Sequence, residues 1–229
     1  KLIPALLCIV LFCIMLLLVP SFIKQGQSTY SAVDSAVEQF YASFKEQPRR
    51  EIPIDKDDGT FGNPEAKIKI VIFSDFQCPF CKRAAFTVHN ALHPLVNKVW
   101  VAFKHYPLDA SCNPKLTYQM HPYACRLARL GYCAQKKNKF WPYHDFVFLQ
   151  LDEERLKEGF DAIEEDMKDY FSPAEIKACL NDSKSLENVN RDIELGNRLN
   201  VRATPSVYIN GKFISIPITV DSLRKLVAI

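Results

Sequence analysis

Cys78-Pro79-Phe80-Cys81 is the segment of this 229-residue chain whose residue types and spacing fit chemistry most directly. The apolar, β-branched run Ile68–Phe73 precedes it and a helix-like stretch, Lys82–Ala91, follows. A strand that delivers two cysteines to a helix N-terminus suits dithiol–disulfide exchange. The unpaired N–H groups and dipole of the first turn stabilise the Cys78 thiolate. Cys81, one turn on, is placed to resolve a mixed disulfide. Cys78 is expected to be exposed at the turn, and Pro79 falls where its missing N–H costs nothing. A bare CxxC also serves zinc knuckles, so the strand–helix context and a second motif late in the chain carry the weight.

Composition bounds the rest. Leu2–Ile23 is apolar and uncharged over 22 positions, flanked by Lys1 and Lys24, and is long enough to cross a bilayer as a helix. A cleaved signal peptide is the rival reading, disfavoured by the length of the run and the absence of a small-x-small cleavage site. The chain starts at Lys1 and not Met, as a processed chain or a piece of a longer protein would. The remaining ~205 residues suit one domain with an insertion. The net charge of +3 is small. Asp152–Asp169 holds nine acids and three bases, and Lys98–Lys139 holds eight Lys or Arg against Asp109 alone. Such blocks read as solvated helix faces, with no polyanion or nucleic-acid site.

Of eight cysteines, Cys8 and Cys13 lie in the apolar segment. Six follow it, an even number that fits an oxidising compartment. With Cys78 and Cys81 paired, Cys112, Cys125, Cys133 and Cys179 allow three connectivities. Cys112–Cys125 is favoured because Asn113-Pro114 and His121-Pro122 between them are turn material. Cys133–Cys179 then remains, and free buried thiols are the alternative.

The elements that must position these groups follow from periodicity. Ala32–Lys45 places Val33, Val37, Phe40 and Phe44 at helical spacing. Gln47–Gly62, charged and proline-bearing, reads as a linker. Val99–Lys104 is a second strand. Tyr123–Gln135, Trp141–Leu151 and Asp182–Leu199 read as helices, and Ser172-Pro173-Ala174-Glu175 caps another over Pro173–Leu180. Ser206–Ile209 and Lys212–Ile216 flank Asn210-Gly211, a strong hairpin signal, and Thr219–Ala228 closes the chain as a helix.

The second motif is Val201-Arg202-Ala203-Thr204-Pro205-Ser206-Val207. With the CxxC helix it resembles the thioredoxin superfamily. That resemblance implies a cis Thr204-Pro205 bond beside Cys78, whose backbone pairs with an extended substrate peptide. Ser74-Asp75-Phe76-Gln77 before the first cysteine, the helical middle and Phe140-Trp141-Pro142-Tyr143-His144-Asp145 are similar to the DsbA-like branch. Leu108-Asp109 through Cys112-Asn113, with His121-Pro122-Tyr123-Ala124-Cys125, resembles the members fused behind a vitamin K epoxide reductase-like membrane domain. The implied organisation is a transmembrane segment over 1–24, a linker with an amphipathic helix over 25–58, and an α/β thioredoxin-like domain over 59–229 with a helical insertion at about 107–199.

The function this resemblance implies is a membrane-tethered protein-disulfide oxidoreductase on the extracytoplasmic side. Cys78 and Cys81 would be catalytic, Pro79 and Phe80 the active-site loop, and Thr204 and Pro205 the substrate-binding pair. Its partners would be cysteine-containing proteins and a membrane redox partner, with no cofactor or metal. One departure stands out. The family's buried acid six residues before the nucleophile is Ile72 here, and the nearer Asp75 is expected to be solvated. The loop also has Phe80 where an imidazole would donate to the thiolate, so Cys78 should be acidic without reaching the extreme of about 3.5. Isomerase, reductase or electron-relay activity are alternatives. So are a zinc site, with Cys112 or His89 and His93 completing four ligands, and a tethered chaperone-type binding module.

Overall fold

The computed structural model describes residues 35–151, 153–215 and 217–228. The apolar segment Leu2–Ile23 and the polar stretch after it lie outside the described residues. Among the described residues, no helix is long and apolar enough to cross a membrane. Residues 35–46 are helical and belong to a separate compact unit. Within that helix Phe40 and Phe44, one turn apart, bring their rings to 5.7 Å.

The second unit begins at Gln47. Its sheet has five strands in the order β1-β3-β2-β4-β5: β1 (Gly59–Gly62), β2 (Ile68–Ser74), β3 (Val99–His105), β4 (Ser206–Ile209) and β5 (Lys212–Phe213). β2 and β3 run parallel, with Ile70 opposite Val101 and Ile72 opposite Phe103. They are joined by helix α1 (Pro79–Leu92), as a parallel pair requires a crossover. β4 returns antiparallel to β2, pairing Val207 with Ile72. The Asn210-Gly211 hairpin has positive φ at both residues, 48° and 79°, the geometry a two-residue turn favours. β5 is shorter than Lys212–Ile216, ending at Phe213.

The segment Gln47–Gly62 is not the free linker its composition implies. Arg50 N–H donates to the Gly211 carbonyl and Gln47 hydrogen-bonds the backbone of Phe213. Ile52 and Ile54 pack with Val71, Phe73 and Leu199. Its last four residues are the edge strand β1, antiparallel to β3. Four residues without apolar alternation carry too little pattern to announce a strand, and pairing with β3 makes them one.

The two sheet faces are covered differently. The alternation of β2 and β3 sends Ile70, Ile72, Val101 and Phe103 to one face and Val71, Phe73, Ala102 and Lys104 to the other. The second face packs against α7 (Ser183–Arg198) through Leu195. Between β3 and β4 the chain is helical: α2 (Ala124–Lys136), α3 (Phe140–Gln150), α4 (Glu153–Lys157), α5 (Phe160–Asp166), α6 (Pro173–Asn181) and α7. The short α4 and α5 occupy the acidic block. Phe76, Phe103, Leu127, Leu130, Tyr143 and Ile163 share one core, so the insertion is bonded to the sheet by a common apolar interior. α8 (Val220–Val227) packs on α1 and is capped by Thr219.

The cysteines divide into two classes. Cys112–Cys125, favoured from turn placement, and Cys133–Cys179, the pair that then remains, are disulfides, and Cys78 and Cys81 are a free dithiol.

Candidate active site

β2 ends at Ser74, the chain turns through Asp75–Gln77, and Cys78 is the N-cap of α1 with Pro79 in the first turn. The Cys78 N–H donates to the Asp75 carbonyl at 3.1 Å, closing the turn that aims the sulfur off the sheet end. Cys78 is not exposed as expected: its relative accessibility is 5%. The loop before β4 covers it, and that loop carries a cis Thr204–Pro205 peptide. The Cys78 thiol lies 3.4 Å from the Thr204 carbonyl oxygen. Phe80, by contrast, stands 60% exposed on the rim of the site.

The two thiols have opposed acidities. Cys78 is lowered to about 6, first by the hydrogen bond from Cys81, against the opposing effect of burial. Thr204 contributes next. The amides of Cys81 and Phe80 add less and close no side-chain cap. Cys81, at 1% accessibility, is pushed well up, first by burial and then by the hydrogen bond and charge of Cys78. Its sulfur accepts the Asp75 N–H at 3.4 Å. One thiol is therefore ionised at neutral pH and the other holds its proton.

Asp75 is not solvated at the strand end. It is 1% accessible, and its carboxylate accepts from the N–H groups of Gln77 (2.6 Å) and Leu108 (2.6 Å) and pairs with His121 Nδ1 (2.8 Å). The segment after β3 folds back over the turn and supplies the Leu108 and His121 partners. Gln77 completes the docking by accepting from the Tyr123 N–H at 2.6 Å. His121 and Asp75 are 46 residues apart, so no local pattern reveals the pair.

Behind Cys81 lies a cavity of ≈ 250 Å³, lined among others by Ile72, Ser74, His89, Trp141 and His144. Ile72, where the family resemblance leads a buried acid to be expected, lines it with an aliphatic side chain. His144 is buried, its Nδ1 2.9 Å from Asp145, and burial lowers its pKa so that it is neutral. Trp141, His144 and Asp145 of the Phe140–Asp145 motif form part of the cavity wall, with Trp141 Nε1 donating to the Thr60 carbonyl on β1.

The zinc alternative loses a ligand, because the Cys112 sulfur is bonded to Cys125. The His89 and His93 rings lie 5.1 Å apart and tilted to each other, and among the described residues no group of three or more donors could hold a metal ion.

Comparison with known proteins agrees with this geometry. The thioredoxin family model matches residues 55–228. The chain is 28% identical over 182 residues to the Na(+)/H(+) antiporter NhaA 3 of Salinispora tropica, covering 77% of this chain and 25% of that protein. It thus spans about a quarter of the length of the antiporters it matches. It is 22% identical over 181 residues to disulfide bond formation protein D of Bacillus subtilis, covering 76% and 78% of the two chains. Oxidised BdbD of Bacillus subtilis superposes with a TM-score of 0.60 at 19% identity, over 80% of this chain and 95% of that one. A thioredoxin-like oxidoreductase of Silicibacter pomeroyi gives 0.61 at 17%, over 76% and 92%. With the family model covering well over half of its length, the chain belongs to the thioredoxin family and has the fold of that family's DsbA-like members.

Proposed function

We propose that this protein is a protein-disulfide oxidoreductase that forms disulfides in extracytoplasmic proteins through Cys78 and Cys81. The observation that carries the reading is the free Cys78–Cys81 dithiol at the start of α1, with the Cys78 thiol 3.4 Å from the Thr204 carbonyl oxygen. In the forward direction a substrate thiolate attacks Cys78 Sγ of the Cys78–Cys81 disulfide. The S–S bond breaks, Cys81 leaves and takes a proton, and a mixed disulfide to Cys78 forms. A second substrate thiolate attacks the substrate sulfur of that bond, and Cys78 leaves as the stabilised thiolate. The substrate loses two electrons and the pair gains them. Stabilising the reduced pair makes its disulfide more oxidising, which favours this direction. Thr204 and Pro205 present the edge along which an extended substrate lies.

Under this reading Leu2–Ile23 tethers the protein to a membrane, with the catalytic domain on the extracytoplasmic face. A membrane redox partner of the vitamin K epoxide reductase-like class, fused or separate, accepts the two electrons. Two intact disulfides elsewhere in the domain support an oxidising compartment.

The test is the reduction potential of the Cys78–Cys81 pair in the full chain, equilibrated against glutathione. A value near roughly −120 mV makes the protein a disulfide donor. A value near roughly −270 mV makes it a reductase or one link of an electron relay. Absence of exchange would overturn the enzyme reading in favour of a binding module.

A further inference from the structure

The Cys-Pro-Phe-Cys loop contains no cationic group, and α1 has no polar side-chain cap. A buried carboxylate, Asp75, lies three residues before Cys78 and in the same turn, since its carbonyl accepts the Cys78 N–H. Alone, that charge would oppose a thiolate at Cys78. It is not alone. His121, brought in by the segment that follows β3, places Nδ1 2.8 Å from Asp75 Oδ2 and is only 16% accessible.

The segment is held there at several points. The His121 N–H donates to the Leu108 carbonyl at 3.0 Å, and the Ala124 N–H donates to the His121 carbonyl at 3.1 Å. Leu108 N–H itself donates to Asp75, Tyr123 N–H to Gln77, and Cys112–Cys125 closes the loop around His121. Three charged or titratable groups face the imidazole: Asp75 from the β2–α1 turn, Cys78 from the start of α1, and Asp109 from the loop after β3.

We propose that His121 is a positioning residue for the Cys78 thiolate: as an imidazolium paired with Asp75, it neutralises the buried carboxylate beside the nucleophile and supplies from a distant loop the positive charge the active-site turn lacks. The inference rests on Cys78 being the nucleophile and names what tunes it. Burial works against the charged imidazole, but the hydrogen bond and charge of Asp75, then the charges of Cys78 and Asp109, outweigh it and raise the His121 pKa. The coupling is reciprocal: a thiolate that favours the imidazolium is favoured by it to the same extent.

The experiment uses the full chain. The Cys78 pKa is read from thiolate ultraviolet absorbance and the potential from glutathione equilibrium, in wild type, His121→Gln, Asp75→Asn and the double variant. His121→Gln leaves the Asp75 carboxylate its Gln77 and Leu108 N–H donors but no counter-charge; it should raise the Cys78 pKa by roughly one unit and shift the exchange constant about tenfold toward disulfide, ~30 mV. The double variant removes both charges and should return to within about twofold of wild type, a non-additive cycle. A merely structural His121 would leave the double variant at least as perturbed as the single, and that result would overturn the proposal. So would an unchanged potential in a folded His121→Gln protein that still exchanges. If wild type itself shows no exchange, the nucleophile reading fails first. A second readout needs no variant: by NMR, the His121 imidazole should titrate ~0.5 unit or more higher in the dithiol than in the disulfide form. Equal values in the two forms would sink the coupling even if the variants do not fold.

Discussion

Helices α1 and α6 begin alike and finish their first turns in opposite ways. Both carry proline in the first turn, Pro79 and Pro173, and both lack enough intrahelical partners for their leading N–H groups. At α6 the N-cap is Ser172, whose hydroxyl accepts from the Glu175 N–H while the Glu175 carboxylate accepts from the Ser172 N–H at 2.7 Å. Every advantage a capping box offers is taken, and Lys137 pairs with the same glutamate. At α1 the N-cap is a cysteine, no side-chain cap forms, and no acid occupies the first turn. The vacancy for negative charge at α1 is left for a thiolate to fill. A helix start optimised for stability and one optimised for redox chemistry therefore differ in the groups that satisfy the turn, Ser172 with Glu175 at one and a thiolate at the other.

The largest expected effect comes from making α1 resemble α6. Cys78→Ser installs a hydroxyl cap and removes the nucleophile. Thiol–disulfide exchange with a reduced peptide should fall to background, while circular dichroism shows the helix content kept. Biological activity that survives this change would favour the chaperone-type reading. The next effect is a pH dependence. In the dithiol form, Cys78 is depressed from 9.0 to about 6. A depressed acid stabilises the folded form fully above its unfolded value, about 9, and contributes nothing once pH has dropped below its folded value. The Tm of the dithiol form should therefore fall relative to that of Cys78→Ser as pH is lowered between these limits. A constant difference would show that the thiolate adds nothing to the turn.

How much of this was legible in the sequence depends on the distance over which each feature is encoded. The start of α6 was readable from four adjacent residues, Ser172 to Glu175, because a capping box is local. The Asn210-Gly211 hairpin and the strand–CxxC–helix unit were readable for the same reason. The cis proline was foreseen through a resemblance, since no local rule distinguishes it from an ordinary trans bond. What failed was accessibility. Cys78 was expected to be exposed and Asp75 solvated because both lie at a strand end, yet the Thr204 loop covers the first and the Leu108–Tyr123 segment covers the second. Strand β1 was hidden by its length and depends on β3 for its conformation. The emptiness at Ile72 was visible as a departure, but the cavity it borders required the packing of Trp141 and His144.

Two smaller changes sharpen the contrast between the helix starts. Phe80 is exposed, so Phe80→His should be tolerated and should add a donor to the Cys78 thiolate from within the turn. The Cys78 pKa should drop by roughly one unit, and the disulfide should become more oxidising by ~30 mV. A shift in the opposite sense would mean that the added ring desolvates the thiolate more than it pairs with it. Ser172→Ala tests the other helix and should have the smallest consequence. It removes the hydroxyl that accepts the Glu175 N–H, while the Glu175 carboxylate keeps the backbone N–H of residue 172 and Lys137, at a cost of about 1 kcal/mol in urea unfolding. The reduction potential should not move, because α6 meets the redox centre through the shared apolar core that Ile176 helps to fill, and that core is untouched by the change. A change in potential on capping loss at α6 would mean that the insertion transmits strain to α1, and the two helix starts would no longer be separable designs.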